Sequence, residues 1–278
     1  MTLPVTAIVV TRNEAHRIIP CLRALKNVSE IIVVDSQSTD GTRELVMAEG
    51  VTIIPFIWNG IYPKKRQWCL DFLPLKQDWV LFIDADEIVT PECLDEIDAL
   101  LRNGASCAGY FITGRYTVRG TCLRFGQPNK KIALFNRHYM CFPEVDDLDI
   151  PGMGEVEGHY QPILKPECMK LKIGSLKNHV IHEAMEDERA WAFRHEKYAR
   201  WEAGMNIKNA WPIDPIPWRQ KAKSLLRATK LRPYIVFLAV YVVFGGFLDG
   251  RAGLKFAFHR YRYYCRIKQK QNELIQGE

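Results

Sequence analysis

The sequence predicts an α/β fold with a helical appendage. In residues 1–105, short continuous apolar runs alternate with helical stretches, the pattern of a parallel sheet covered on both faces. Polar and acidic residues fall just after those runs, at the strand ends where such sheets bind ligands. After residue 210 the composition turns basic and apolar. The prolines of "WPIDPIPW" (211–218) mark that boundary.

The elements follow in order. "VTAIVVT" (5–11) reads as a first strand, with a helix over 14–27. "EIIVVDS" (30–36) is a second strand, followed by a helix from Thr42 to Glu49. "VTIIPF" (51–56) is a third strand, residues 63–73 a helix, and "DWVLFIDAD" (78–86) a fourth strand. A helix over 91–102 follows, with Thr90 as N-cap and Pro91 at its first position. Beyond residue 105, "AGYFITGRYTVRG" and "KKIALFNR" predict antiparallel strands. Residues 143–162, rich in acids, Gly and Pro, read as a functional loop. Residues 186–208 predict a charged helix. This divides the chain into 1–105, 106–210 and 211–278.

Charge is distributed unevenly. Residues 216–278 carry 13 Lys/Arg and 3 Asp/Glu within a net charge of +6, so residues 1–215 are net negative. An anionic partner is expected for the tail, either phospholipid or nucleic acid. Residues 219–232 predict a basic helix. The fifteen apolar residues 234–248 would extend roughly 22 Å as a helix, short of a hydrocarbon core of about 30 Å. Over 251–267, Leu254, Phe258, Tyr261 and Cys265 form a stripe beside Lys255, His259, Arg262 and Arg266. Such a helix suits a membrane interface, so an anionic membrane surface is the expected partner rather than nucleic acid. Eight cysteines without a CxxC pair argue against a zinc knuckle and for a reduced, cytoplasmic compartment. The N-terminus reads as a strand and not as a signal peptide.

The chemistry concentrates at the strand ends. Thr11, Arg12 and Asn13 follow the first strand, Asp35 ends the second, and Asp84 and Asp86 end the fourth. Asp-x-Asp at the end of a buried strand crowds like charges, and a divalent cation would offset them. Mg²⁺ or Mn²⁺ held by one or two carboxylates with phosphate oxygens and water suggests a metal-bridged diphosphate.

"TRNEAHR", "VVDSQSTDGT" and "WVLFIDADE", in that order and separated by roughly 22 and 50 residues, resemble family 2 glycosyltransferases of the GT-A fold. More narrowly, the chain is similar to bacterial lipopolysaccharide-core and related glucosyltransferases. The likeness covers most of residues 5–103. "RHEKYARWEA" (194–203) and "GGFLDGRAGL" (245–254) share it, whereas the 143–162 loop matches poorly. The resemblance implies a Rossmann-like, mixed nucleotide-sugar-binding sheet with flanking helices. Residues 1–105 would form the nucleotide-sugar half of a catalytic domain, 106–210 the acceptor half, and 211–278 a membrane-associating tail.

The resemblance also implies residue roles. Thr11, Arg12, Asn13 and Glu14 would line the nucleotide pocket. Asp35 would bond the uracil above a loop shaped by Ser38 to Thr42. Arg66, with Lys64 or Lys65 as alternates, would approach the base or diphosphate. Asp84 would contact the ribose or a water on the metal, Ala85 would lie against the nucleotide sugar, and Asp86 would bind Mn²⁺ or Mg²⁺ directly. A further metal ligand is expected at His182, with His179 second.

An inverting transfer needs a base for the acceptor hydroxyl. The 143–162 acids are candidates: Asp147 first, then Asp146 and Glu157, with Glu144, Asp149 and Glu155 behind. The expected activity moves a hexose, most readily from UDP-glucose, to a lipid-linked or lipopolysaccharide-type saccharide. Its expected place is the cytoplasmic face of a bacterial inner membrane, peripheral or monotopic. The alternatives are a non-catalytic glycan- or lipid-binding module with a relic fold, or a sugar nucleotidyltransferase. The latter would want a glycine-rich loop after the first strand, and "TRNEAHR" has no glycine.

Overall fold

The computed structural model describes residues 2–151, 154–155, 160–185 and 188–276. The chain packs as two compact units. The first comprises residues 1–115, 129–142 and 162–183, and the second 116–128, 143–161 and 184–278. Residues 116–128, 143–161 and 184–210 of the middle segment thus fall in the same unit as the tail.

In the first unit, β1 (Leu3–Thr11), β2 (Val28–Asp35), β3 (Thr52–Pro55) and β4 (Trp79–Asp84) pair in parallel, in the order β3-β2-β1-β4. Between them lie α1 (Ile18–Ala24), α2 (Thr42–Ala48) and α3 (Lys65–Phe72). Val5, Ala7, Ile8 and Val9 of β1 are fully buried, as expected for a strand covered on both faces. Val5, Ile8 and Val9 each contribute about 1.5–3 kcal/mol on burial. Thr6, also buried, has its hydroxyl satisfied by donating to Glu30.

Helix α1 is shorter than the expected 14–27, because residues 14–17 form a turn in which Arg17 N and Ile18 N both donate to Glu14 O. The fourth apolar run also ends early. Strand β4 stops at Asp84, and a separate strand β5 (Glu87–Val89) begins after a turn. Helix α4 (Pro91–Arg102) has the expected start: Thr90 Oγ1 accepts from Cys93 N at 3.3 Å and Pro91 occupies the first turn.

The sheet is mixed. Strand β6 (Gly109–Val118), with the short β7 (Thr121–Cys122) folded against its end, pairs antiparallel with β8 (Asn129–Asn136). Strand β8 pairs antiparallel with β4, and β11 (Ile173–Met185) pairs antiparallel with β5. The remaining order is β4-β8-β6-β11-β5. Strands β9 (Met140–Cys141) and β10 (Ile163–Leu164) form a separate ribbon. This arrangement is the mixed, helix-flanked sheet that the GT-A resemblance implies.

The second unit is helical: α5 (Glu188–Lys208), α6 (Pro217–Ala228), α7 (Arg232–Leu238) and α8 (Gly250–Gln276). Its core joins Ala199 and Ala203 of α5, Val236 and Val240, and Phe256 and Ala257 of α8. The buried Glu202 carboxylate accepts from Arg232 at 2.5 Å and from the Tyr263 hydroxyl at 2.9 Å. The 234–248 run is not one helix: α7 passes into a π-helical turn over 239–243 and a 3₁₀ turn over 246–249. Gly253 permits that reversal, since a Cβ there would lie 1.8 Å from Gly246 O. All eight cysteines are free, and Cys21, Cys69 and Cys93 are buried.

Candidate active site

The loops leaving β1 and β2 are stitched together by side-chain bonds to backbone. Asn13 adopts φ +57°, a left-handed conformation that Asn tolerates. Its N–H donates to Ser38 Oγ at 2.8 Å, and its Oδ1 accepts from Thr39 N at 2.8 Å. Glu14 N donates to Thr42 Oγ1 and Ala15 N to Asp40 Oδ2. Asp35 is fully buried and closes its own turn, accepting from Ser38 N at 3.1 Å and from Ser38 Oγ. The parallel register sets Thr11 beside Asp35. Thr11 Oγ1 and Ser36 Oγ are buried there with no hydrogen-bond partner among the described residues, two hydroxyls that a ligand could satisfy. Arg12 is exposed, whereas Lys64 and Lys65 at the start of α3 are buried.

The acidic cluster lies at the ends of β4 and β5. Asp84 accepts from Arg66 at 2.7 Å and from Lys131 at 2.8 Å. Glu87, fully buried, accepts from Lys131 at 2.5 Å and from Asp84 N at 3.0 Å. Asp86 Oδ2 lies 3.4 Å from His182 Nε2 and 3.7 Å from Arg17 Nη1. Arg17 is held in turn by Glu14 and donates to Glu183 O at 2.9 Å. Asn129 Nδ2 stands 3.4 Å from His182 Nδ1.

Protonation follows from these contacts. Burial raises the Asp84 pKa, but Lys131 and Arg66 more than offset it and hold the group far below the carboxylate range. Burial likewise opposes ionisation of Asp86, and His182 outweighs it, bringing that pKa down to about 2. Burial pushes Glu87 upward against the pull of Lys131. For His182 burial favours the neutral ring, yet Asp86 raises its pKa above the ordinary value.

Part of the charge compensation that the sequence reading expects from a divalent cation comes from neighbouring basic side chains. Lys131, Arg66 and Arg17 supply it within the protein. Neither Lys131 nor Arg17 has a sequence signal for this part. Strand β8 is buried on both faces beyond Lys131, so alternation does not single that lysine out. Among the described residues no group of three or more His, Cys, Asp and Glu side chains is gathered as a metal cage. Asp86 and His182 are the pair with suitable donors, one carboxylate oxygen and one imidazole nitrogen. His179 instead has its backbone carbonyl accepting from Thr90.

The expected base candidates belong to the second unit. Asp147, expected first, is 2% exposed and accepts from the Trp201 indole at 2.8 Å. A carboxylate so placed anchors its loop to α5 and is withdrawn from solvent. Asp146, 74% exposed, pairs with Lys208 at 2.7 Å, as does Asp149. Glu144 is exposed, and Glu157 lies outside the described residues. A cavity of about 410 Å³ in this unit is lined by Trp191, His195, His259 and Tyr263. None of the sequence-predicted site residues lines it.

The comparisons with known proteins agree with this fold. The family model "Glycosyl transferase family 2" matches residues 6–148, just over half of the chain. An uncharacterized glycosyltransferase of Rickettsia typhi is 32% identical over 146 residues, 50% of this chain and 48% of that one. The lipopolysaccharide core biosynthesis glycosyltransferase LpsC of Rhizobium meliloti is 31% identical over 118 residues, 41% of this chain and 43% of its own. The chain thus spans at most about half the length of the curated relatives it matches. Among solved structures, the mannosyltransferase PcManGT of Pyrobaculum calidifontis, in complex with GDP-Man and Mn²⁺, superposes with a TM-score of 0.53. That likeness covers 98% of this chain and 87% of the other at 16% identity, a likeness of fold. With a family match across the strands and loops that carry the acidic edge, the chain belongs to glycosyltransferase family 2.

Proposed function

We propose that this chain is a metal-dependent, inverting hexosyltransferase. It would move glucose from UDP-glucose to a lipid-linked or lipopolysaccharide-type saccharide at the cytoplasmic face of a bacterial inner membrane. The observation that carries this reading is the Asp86–His182 pair at the end of β4, in the same unit as the buried hydroxyls of Thr11 and Ser36. LpsC supports the acceptor class by its name, and PcManGT, solved with GDP-Man and Mn²⁺, supports the donor class.

Each residue then has a part. Thr11, Asn13, Glu14 and Asp35 bind and orient the nucleoside, with Arg12 at the exposed rim. Arg66 and the lysines at 64 and 65 offer positive charge to the diphosphate. Asp84, fixed by Arg66 and Lys131, and Ala85 shape the turn that presents Asp86. Asp86 and His182 would hold Mn²⁺ or Mg²⁺, which when bound stabilises the charge on the leaving diphosphate. The base that takes the acceptor hydroxyl's proton lies among Asp146, Asp147 and Glu157. Asp146 is preferred, because its carboxylate is open to solvent and that of Asp147 is not.

The test is UDP release from a panel of nucleotide sugars with Mn²⁺ or Mg²⁺. UDP-glucose should be the preferred donor, and Asp86→Ala should abolish release while leaving the circular dichroism spectrum unchanged. Full activity in that variant would remove Asp86 from the metal site. Turnover only with GDP- or dTDP-sugars would replace the donor.

A further inference from the structure

We propose that residues 231–258 form an apolar slab that docks into one leaflet of an anionic phospholipid bilayer without crossing it. This deepens the membrane location proposed above, and it rests on the second unit alone.

Length and shape come first. Among the described residues no single helix is long and apolar enough to cross a membrane. The segments Arg232–Val243 and Gly246–Gln276 pass that test only together, and they meet at a bend of 70°. The first segment, at 1.5 Å per residue, covers about 18 Å of a hydrocarbon core of about 30 Å. Ring contacts of Tyr234 with Tyr261 and of Phe237 with Phe258 set α8 back alongside this segment instead of continuing it.

The apolar face is organised. Leu231, Ile235, Leu238 and Val242 recur at helical spacing and are 61, 40, 56 and 54% exposed. Pro233, Val236 and Val240 on the opposite side are buried. The exposed stripe is therefore surplus to the unit's own core. It continues onto α8 through ring contacts of Tyr234 with Tyr261 (5.4 Å) and Phe237 with Phe258 (6.4 Å). Leu254 and Phe258, from the stripe picked out in the sequence, are also partly exposed, each a little under half.

At the turn, Phe244, Phe247 and Leu248 are half exposed or more. There the Asp249 carboxylate accepts from Arg124 N at 3.1 Å and Phe125 N at 2.9 Å. Those bonds fix a second loop, carrying the exposed Phe125, against the turn. A contiguous exposed apolar face of this extent marks an interaction surface.

Charge selects the occupant. The 13 Lys/Arg against 3 Asp/Glu of residues 216–278 would repel a second copy of the same face and attract anionic lipid. Lys230 and Arg251 are exposed near either end of the first segment, and the Arg262 guanidinium sits 5.4 Å over the Phe258 ring. Long basic side chains flanking exposed aromatics are placed to reach phosphate from an apolar bed.

Flotation of the full chain with sealed vesicles, in the absence of any sugar nucleotide, tests the proposal independently of catalysis. Vesicles of phosphatidylcholine with phosphatidylglycerol should carry the protein, and phosphatidylcholine alone should carry far less. Leu238→Glu with Val242→Glu, both at exposed positions, should weaken binding by about tenfold or more. Lys230→Gln with Arg251→Gln should weaken it roughly tenfold and lessen its salt dependence. Circular dichroism of both variants should match the parent. Protease added outside the vesicles should leave no protected fragment. Equal binding to both lipids, undiminished binding of the Leu238/Val242 variant, or a lumen-protected fragment would each overturn the proposal. So would a dimer in sedimentation equilibrium that dissociates on the same substitutions, since a second copy would then cover the face.

Discussion

The Lys131 ammonium lies 2.8 Å from the Asp84 carboxylate, across the antiparallel pair β4 and β8, and 2.5 Å from Glu87. One cation thus ties the last residue of the core strand to the first residue of the next. Asp86 sits between them in sequence, with its carboxylate toward His182. Lys131 thereby leaves Asp86 as the acid of the turn not engaged by a lysine.

Replacing Lys131 with Met should destabilise the protein by about 3 kcal/mol, because Glu87 and Asp84 lose a largely buried partner. Urea unfolding measures this directly. The double variant Lys131→Met with Glu87→Gln should recover part of the loss, since only one carboxylate then lacks the ammonium. A double variant no more stable than Lys131→Met alone would deny the coupling.

Asp147 and Asp146 separate stability from catalysis. Asp147→Ala leaves the buried Trp201 N–H without its acceptor and should cost about 1–3 kcal/mol in chemical denaturation. Asp146→Ala breaks only an exposed pair with Lys208 and should stay within about 1 kcal/mol. With Asp146 as the base, its variant retains stability and donor binding but loses transfer. A stable Asp147→Asn that is inactive would restore Asp147 to that role.

Burial, reinforced by Glu96, pushes the Cys93 thiol from its ordinary 9.0 up to about 12. The thiolate is the reactive form, so at pH 8 about one molecule in ten thousand presents it. Mass spectrometry after brief alkylation should find Cys122, which is exposed, modified and Cys93 untouched. The sign for stability follows. Below pH 9 the thiol is protonated in both folded and unfolded chains and Cys93 contributes nothing. From pH 9 toward 12 the unfolded chain loses the proton first, so this residue lowers stability as pH rises.

Gly253→Ala should disrupt the turn between α7 and α8, because a Cβ cannot sit 1.8 Å from Gly246 O. The expected outcome is a loss of several kcal/mol in unfolding of the second unit. Ala252→Gly, one residue earlier, should cost only about 1–2 kcal/mol, from helix propensity and one lost methyl contact with the core.

Much of the first unit is legible in the sequence because its strands are local runs. "VTAIVVT", "EIIVVDS" and "DWVLFIDAD" each hold an unbroken run of four or five apolar residues, and Thr90-Pro91 announces a helix start chemically. The strand ends that bear Thr11, Asp35 and Asp84 follow from those runs. The break between β4 and β5 is not legible. Asp84 to Ile88 could continue a strand or turn, and only pairing of Glu87–Val89 with β11 ends the ambiguity.

The sequence by itself determined the parallel half of the sheet, the family and the acidic strand end, because each depends on residues close together in the chain. Tertiary structure alone decided which side chains meet that end. The register that pairs Leu81 with Leu134 carries Lys131 to Asp84, and the register that pairs Ile88 with Ile181 carries His182 to the Asp86 turn. Both registers join residues dozens of positions apart. They are fixed by side-chain packing across strands, which no local pattern encodes.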